Sequence, residues 1–210
     1  MKFLTILFLI QILFFQNVFS QEKVKVEVFG MSKCKDTSEF IEKMWSATEA
    51  IGDIFTANIG FITQIEVGDK SQIAFKCQKG KTECDGDKLI LCAQDKYPDN
   101  FHYLQFARCL GRDRPSIPEN AEKCAEEVGM DWKILKECKK RESSKLLFQS
   151  SSRAKNLKAT WAPTIFIDDE SVCEWNLNKC PFSDTESFIQ EVCKRYKGTK
   201  PAACGTEKEL

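Results

Sequence analysis

Residues 24–37 read VKVEVFGMSKCKDT and change from a strand pattern to a helix start within a few positions. The first six residues alternate apolar and charged side chains before Gly30, which predicts a half-buried strand ended by a turn. Further on, apolar residues recur at steps of three and four as far as Gly52, which predicts an amphipathic helix. Cys34 stands just before that helix, so the first strand leads to a cysteine at a helix N-terminus.

The remaining elements can be assigned outward from this junction. Extended segments are predicted at residues 54–62, 72–76, 164–168 and 170–175, the last two as a pair, and a final helix at residues 185–196. Residues 77–158 contain few β-branched runs and many helix formers, which predicts a helical insertion. This order of elements predicts an α/β fold with a thioredoxin-like sheet and a helical insertion, in a single domain over residues 21–210. Six cysteines within the insertion could staple its helices as disulfides.

Composition excludes several functional classes. The chain has 210 residues, and its 31 Lys plus Arg balance 31 Asp plus Glu, so no net charge favours nucleic acid or an anionic membrane. A single histidine, His102, rules out zinc sites that need two or three histidines. No C-x-x-C pair is present to begin an all-cysteine site. We therefore expect no metal, no cofactor and no nucleic-acid partner.

The first twenty residues have the regions of a signal peptide. Lys2 is followed by an apolar run over residues 3–15 and by a small-residue exit at Ser20, which suits cleavage before Gln21. The alternative is an uncleaved signal anchor, although the run is shorter than the roughly 20 apolar residues that span a bilayer. No second apolar stretch follows, so no membrane span is expected after cleavage.

The cysteine count points to one unpaired thiol. Entry into the secretory pathway means an oxidising compartment, where ten of the 11 cysteines can form five bridges and one is left over. A thiol reacts as its thiolate, which the unpaired N–H groups of a helix start favour, and Cys34 has that position. Lys33 and Lys35 would add to this effect if their side chains lie close. The alternative is that Cys34 is half of a structural disulfide.

Two further residues belong to the same candidate site. A disulfide reductase usually has a second cysteine three residues after the first, which releases the product, but Thr37 stands at that position. Its hydroxyl can donate a hydrogen bond to a thiolate and cannot form a disulfide, so release needs an external thiol or another cysteine of this chain. Pro163 is placed where a cis proline could form an active-site wall; the alternative is a trans proline that opens an edge strand.

Residues 77–92 read CQKGKTECDGDKLILC and resemble the signature of the gamma-interferon-inducible lysosomal thiol reductase family, C-Q-H-G-x2-E-C-x2-N-x4-C. Six of the eight fixed positions match: Cys77, Gln78, Gly80, Glu83, Cys84 and Cys92. Lys79 replaces the family histidine, and Asp87 replaces its asparagine. The resemblance extends over nearly all of the chain after residue 20.

This resemblance implies a thioredoxin-like fold, reduction of protein disulfides in acidic endolysosomes, and a second active-site cysteine where this chain has Thr37. Cys173 and Cys180 are additional to the family pattern and are expected to close a local loop. The other expected bridges are Cys193–Cys204 and Cys124–Cys138, with Cys77, Cys84, Cys92 and Cys109 paired among themselves.

We interpret the chain as a thiol–disulfide oxidoreductase of monothiol type. In this interpretation Cys34 attacks a substrate disulfide, Thr37 supports the thiolate, Pro163 shapes the substrate groove, and a small thiol such as glutathione releases the product. The partners would be disulfide-containing or unfolded polypeptides. One alternative is a non-catalytic binder or chaperone-like member of the family, and another is a structural secreted protein with Cys34 in a bridge.

The expected location is the lumen of the secretory pathway, in lysosomes or endosomes, or outside the cell. The chain has no N-x-[ST] sequon for glycan-dependent sorting. Its last four residues, EKEL, weakly resemble a retention signal of the endoplasmic reticulum, so that compartment is an alternative location.

Overall fold

The strand and helix predicted around Cys34 form as β1 and α1 in a computed structural model that describes residues 21–67, 73–175 and 180–205. The predicted signal peptide and the last four residues lie outside the described residues. The strands are β1 (Val24–Gly30), β2 (Phe55–Phe61), β3 (Gln64–Val67), β4 (Ile73–Lys76), β5 (Thr164–Ile167) and β6 (Glu170–Glu174). The helices are α1 (Lys35–Ile51), α2 (Lys81–Lys96), α3 (His102–Arg112), α4 (Ala121–Glu127), α5 (Trp132–Arg141), α6 (Ser143–Asn156) and α7 (Thr185–Arg195). Short 3-10 turns occupy Asp99–Phe101, Arg114–Ser116 and Ala202–Cys204.

The main sheet has four strands in the order β2-β1-β5-β6. β1 runs parallel to β2, with Val28 opposite Ile59, and antiparallel to β5, with Val28 opposite Ile165. β5 and β6 pair antiparallel, as the sequence predicts. The predicted segment at residues 72–76 forms β4, but it pairs with β3 in a separate two-stranded sheet. β3 was not predicted, because four mostly exposed residues are too few to show a periodicity.

β1 is more deeply buried than its alternating sequence predicts. It is a central strand, and helices cover both of its faces. Val26 and Val28 pack in the main core with Phe40 and other residues of α1. On the opposite face Phe29 packs with Ala154 of α6. The prediction of a half-buried strand was therefore wrong, because one of its two charged residues, Glu27, is also buried.

The helical insertion is present as five helices, α2 to α6. Among the residues that the structure describes, no helix is long and apolar enough to cross a membrane. Disulfides join the helices in pairs: Cys92–Cys138 connects α2 to α5, and Cys109–Cys124 connects α3 to α4. The disulfide-stapled helical insertion predicted from the sequence is confirmed.

The pairing of these cysteines differs in part from the prediction. Cys173–Cys180 and Cys193–Cys204 form as expected, and so does a pair among the first four, Cys77–Cys84. The predicted bridge Cys124–Cys138 was wrong, and Cys92 and Cys109 do not pair within the first four. Helix packing explains the difference, since it brings the Cα atoms of the observed pairs to 5.8 Å and 5.6 Å.

Candidate active site

Cys34 has the N-cap position of α1, at the end of the loop that follows β1. Its backbone is extended, with φ −82° and ψ 130°, and its amide donates a hydrogen bond to Met31 O at 3.0 Å. Its carbonyl accepts hydrogen bonds from the amide and the hydroxyl of Ser38, at 3.2 and 3.1 Å. Cys34 is 9% exposed and is a free thiol, whereas the ten other cysteines are bridged. The alternative in which Cys34 is half of a structural disulfide was therefore wrong.

The Cys34 thiol faces the loop before β5. Its Sγ donates a weak hydrogen bond to the carbonyl oxygen of Ala162 at 3.8 Å, and the peptide bond between Ala162 and Pro163 is cis. Hydrogen bonds hold this loop at both ends, because Pro163 O accepts from the amide of Trp175 and Trp161 O accepts from the hydroxyl of Thr164. The structure thus brings the cis proline predicted from the sequence next to the cysteine.

Thr37 lies in the first turn of α1 and is 1% exposed. Its Oγ1 accepts a hydrogen bond from the amide of Met31 at 3.3 Å. The side chain fills the space above Gly30, where an added Cβ would come within 2.4 Å of Thr37 Oγ1. Thr37 therefore packs against the end of β1, and its predicted role toward the Cys34 thiolate stays a prediction.

The two lysines beside Cys34 are bound to other groups. Lys35 Nζ lies 3.4 Å from a carboxylate oxygen of Glu39, one turn along α1. Lys33 Nζ donates to the carbonyl oxygen of Pro115, in the helical insertion. Each ammonium group therefore has a partner other than the thiol, and the electrostatic contribution expected from these lysines is not evident in the structure.

α2 supports the loop before Cys34 through contacts that were not predicted from the sequence. Asp87 Oδ1 accepts a hydrogen bond from the amide of Ser32 at 2.9 Å, and Ser32 Oγ donates to Glu83 O at 3.0 Å. Gly86 allows this close approach, because a Cβ there would come within 2.7 Å of Ser32 Oγ. Glu83, Gly86 and Asp87 all fall within the 77–92 motif, so this motif includes the α2 residues that contact the loop.

Residues just before and within the first turn of α2 reinforce the same contact. Lys79 Nζ donates to the carbonyl oxygen of Lys33 at 2.7 Å. The amide of Lys79 in turn donates to Glu83 Oε1 at 2.9 Å. Lys79, which replaces the family histidine, thus ties the motif to the residue just before Cys34.

Two buried carboxyl groups lie one helical turn apart beneath this loop, Glu83 and Asp87. Burial raises the pKa of Asp87 to about 8, although hydrogen bonds from Ser32 oppose the rise and the charge of Glu83 adds to it. Asp87 is therefore mainly protonated at neutral and acidic pH. Glu83 Oε2 is buried without a hydrogen-bond partner in the described part of the chain. Ionisation of Asp87 is thus costly here.

A cavity of about 470 Å³ opens beside the thiol loop. Its walls include Met31 and Ala162, which both contact Cys34 through the hydrogen bonds above, and the disulfide-bonded Cys77. Trp161, a large side chain that is 49% exposed, lies on the same wall as Ala162. A disulfide-bearing polypeptide could therefore approach Cys34 from this side. No group of three or more His, Cys, Asp or Glu side chains suited to a metal ion occurs over residues 21–67, 73–175 and 180–205.

Comparison with known proteins identifies the family and the fold independently of the geometry of the site. Residues 25–128 match the family model described as gamma interferon inducible lysosomal thiol reductase (GILT). The chain is 27% identical over 201 residues to the gamma-interferon-responsive lysosomal thiol protein of Arabidopsis thaliana, covering 90% of this chain and 78% of that protein. It is 26% identical over 194 residues to the gamma-interferon-inducible lysosomal thiol reductase of Carassius auratus, covering 89% and 74%.

Solved structures show the same fold at low sequence identity. DsbA from Mycobacterium tuberculosis, in the reduced form, superposes with a TM-score of 0.61 at 15% identity, covering 90% of this chain and 91% of that one. A putative protein disulfide isomerase from Nitrosomonas europaea gives 0.60 at 9% identity, covering 82% and 97%. A thioredoxin-like oxidoreductase from Silicibacter pomeroyi gives 0.54 at 16% identity, covering 83% and 87%. The thioredoxin-like fold predicted from the sequence is confirmed.

Proposed function

This chain belongs to the gamma-interferon-inducible lysosomal thiol reductase family, and we propose that it is a thiol–disulfide oxidoreductase of monothiol type that acts on protein disulfides. One observation carries the proposal: Cys34 is the free cysteine at a helix N-terminus, whereas ten other cysteines are bridged. The adjacent cavity supports it, because its walls include Met31 and Ala162, which both contact Cys34.

The reaction proceeds by two thiol–disulfide exchanges and a regeneration step. The Cys34 thiolate attacks one sulfur of a substrate disulfide, which forms a mixed disulfide with Cys34 and releases the other substrate sulfur as a thiolate that takes up a proton. A small thiol such as glutathione then attacks the Cys34 sulfur and releases the second substrate thiol. A second molecule of the small thiol frees Cys34. The substrate disulfide is thereby reduced, and two small thiols are oxidised to one disulfide.

This mechanism needs an external thiol because Thr37 stands at the position of the resolving cysteine. A dithiol enzyme resolves the mixed disulfide with its own second cysteine, and a hydroxyl cannot do so. The Thr37 side chain is also packed against Gly30 in the space below the loop. We propose that Thr37 supports the loop that presents Cys34, while the electrons come from outside the chain.

We propose the lumen of the secretory or endolysosomal pathway as the place of action. Five disulfides favour an oxidising compartment, and the named relatives are lysosomal thiol proteins. The partners in this proposal are disulfide-containing or unfolded polypeptides. A buried Asp87 that stays neutral in acid is compatible with work at low pH.

The test is to trap the mixed disulfide. The wild-type chain is incubated with a disulfide-bonded probe peptide and analysed by mass spectrometry under nonreducing conditions, with Cys34→Ser as the control. We expect an adduct on Cys34 that the variant lacks and that glutathione removes. If the wild type forms no adduct on Cys34, the proposal is wrong.

A second candidate function is a non-catalytic binder or chaperone-like protein. The low exposure of Cys34, together with Thr37 at the resolving position, favours this function. This function requires binding of unfolded or cysteine-rich polypeptides that Cys34→Ala leaves unchanged. A large loss of affinity in that variant would count against it.

A further inference from the structure

A second cavity continues from the one beside the thiol loop. It has a volume of about 720 Å³ and shares Ile62, Thr63, Gln64 and Thr160 with the first cavity. One wall is formed by residues 62–66, which include most of β3. We call this second cavity the β3 groove. Because the two cavities share four wall residues, the β3 groove extends the approach to Cys34.

The β3 groove has apolar walls and an open strand edge. Ile62 and Ile65 line it on the strand side, and Ala154 and Ala159 line it from the end of α6 and the loop after it. Within the part of the chain that the structure describes, β3 has a single strand neighbour, β4. An extended polypeptide could therefore use main-chain hydrogen bonds along the open edge and place alternate side chains on the apolar wall.

Three polar side chains of the groove have no side-chain partner among the described residues. Ser151 is 3% exposed, lines the groove, and has an Oγ without a hydrogen-bond partner in the described structure. Such a buried hydroxyl is expected to find a partner, which indicates that a ligand could supply one. Two exposed lysines, Lys155 and Lys158, also line the groove, and neither forms an ion pair with any described residue. Glu66 is the acidic residue on its walls, so lysines outnumber carboxylates there.

We propose that the β3 groove binds an extended segment of the substrate polypeptide, next to the cysteine that Cys34 attacks, that carries an aliphatic side chain and a carboxylate. The aliphatic side chain packs on Ile62 and Ile65, and the carboxylate pairs with Lys155 and Lys158. At about 3.3 Å per residue, the strand wall matches roughly five residues of an extended chain. This inference rests on the proposed function, for which it names the substrate class.

A polypeptide fits these observations better than the small thiol does. The apolar walls and the strand edge are features that an extended chain uses along its length. A small, highly charged thiol such as glutathione would leave the apolar wall uncovered. Competition with glutathione is therefore included in the test.

The test uses the full chain with Cys34→Ser, so that binding is measured without thiol chemistry. Two fluorescent peptides of about eight residues have serine in place of cysteine and share two isoleucines; one carries two aspartates where the other carries two lysines. Binding is followed by fluorescence anisotropy at low salt. The variant Lys155→Glu with Lys158→Glu changes the groove, and Lys123→Glu with Lys140→Glu is the matched control, on exposed lysines of α4 and α5.

We expect the acidic peptide to bind more tightly than the basic one. The groove variant should weaken binding of the acidic peptide about tenfold, roughly 1.4 kcal/mol, and the control variant should change it less than about twofold. Equal binding of the two peptides, an equal effect of both variants, or displacement of the peptide by glutathione would each overturn the inference. If only the inference fails, the wild-type chain still forms the Cys34 adduct. Binding of the acidic peptide by a chain that forms no Cys34 adduct would overturn the proposed function alone.

Discussion

The amide of Ser32 donates a hydrogen bond of 2.9 Å to Asp87 Oδ1, and this bond joins the loop before Cys34 to a fully buried carboxyl group on α2. The two residues are 55 positions apart in the chain. Asp87 stands where the family signature has asparagine, a side chain that does not titrate. In this chain, therefore, the support of the active-site loop includes a titratable group.

Stability should fall as pH rises because of Asp87. The folded pKa of about 8 lies above the ordinary value of 3.8, so the favourable contribution is complete below pH 3.8 and is lost as pH rises toward 8. The slope from this one group is about 1.4 kcal/mol per pH unit at most. Urea unfolding of the wild type and Asp87→Asn between pH 4 and 8.5 should show the variant gaining stability over the wild type as pH rises. Parallel curves for the two proteins would contradict this.

Thr37→Cys should convert the monothiol site to a dithiol site. Cysteine resembles threonine in size, so the variant should fit the buried space above Gly30. After reaction with a disulfide peptide, Cys34 and the new cysteine should form a disulfide, and both peptide halves should be released without glutathione. Nonreducing mass spectrometry distinguishes the outcomes, with Thr37→Ser as the control. A persistent peptide adduct in the cysteine variant would show that the new thiol cannot reach Cys34.

Glu27→Gln should destabilise the protein at neutral pH. Glu27 is 2% exposed; its carboxylate accepts hydrogen bonds from the Arg153 guanidinium and from Asn58, and Lys25 lies close by. Burial acts to raise the pKa of Glu27, but these hydrogen bonds and charges together hold it below the usual value of 4.5. We expect a loss of about 2 kcal/mol in the free energy of unfolding at pH 7.

The pH dependence of this loss has the opposite sign to that of Asp87. The stabilisation by Glu27 is complete above pH 4.5 and is lost as pH falls through the lower folded pKa, so the difference from Glu27→Gln should shrink in acid. Urea unfolding at pH 7 and pH 3 measures it. Asp169→Asn, which removes the exposed partner of Arg153, is the control and should cost less. An equal cost for both variants would contradict the importance of burial.

Removal of the Cys92–Cys138 bridge should cost more stability than removal of Cys173–Cys180. The first bridge closes a loop across 46 positions and the second across 7. Chain entropy predicts losses of about 4 and about 2.5 kcal/mol, respectively, when each pair is replaced by alanine. Thermal and urea unfolding of the two double variants compares them. A larger loss at Cys173–Cys180 would show that entropy of the unfolded chain is not the dominant effect.

Local patterns along the chain were enough to predict a large part of this molecule. The alternation in β1 and the helical periodicity of α1 depend on neighbouring residues, so they located the strand, the helix and Cys34 between them. The odd cysteine count and the position of Cys34 singled out the thiol that the structure leaves unpaired. The motif at residues 77–92 was sufficient to identify the family.

Contacts between distant segments followed from tertiary structure. The bridge Cys92–Cys138 depends on α2 packing against α5, and the approach of Cys34 to Ala162 spans 128 positions. The hydrogen bond from Ser32 to Asp87 likewise depends on where α2 lies against the loop. Sequence periodicity locates an element, but it does not show which neighbours cover its faces, and both faces of β1 are covered. The reactive cysteine could thus be identified from the sequence, whereas its surroundings, the raised pKa of Asp87 and the β3 groove required the folded chain.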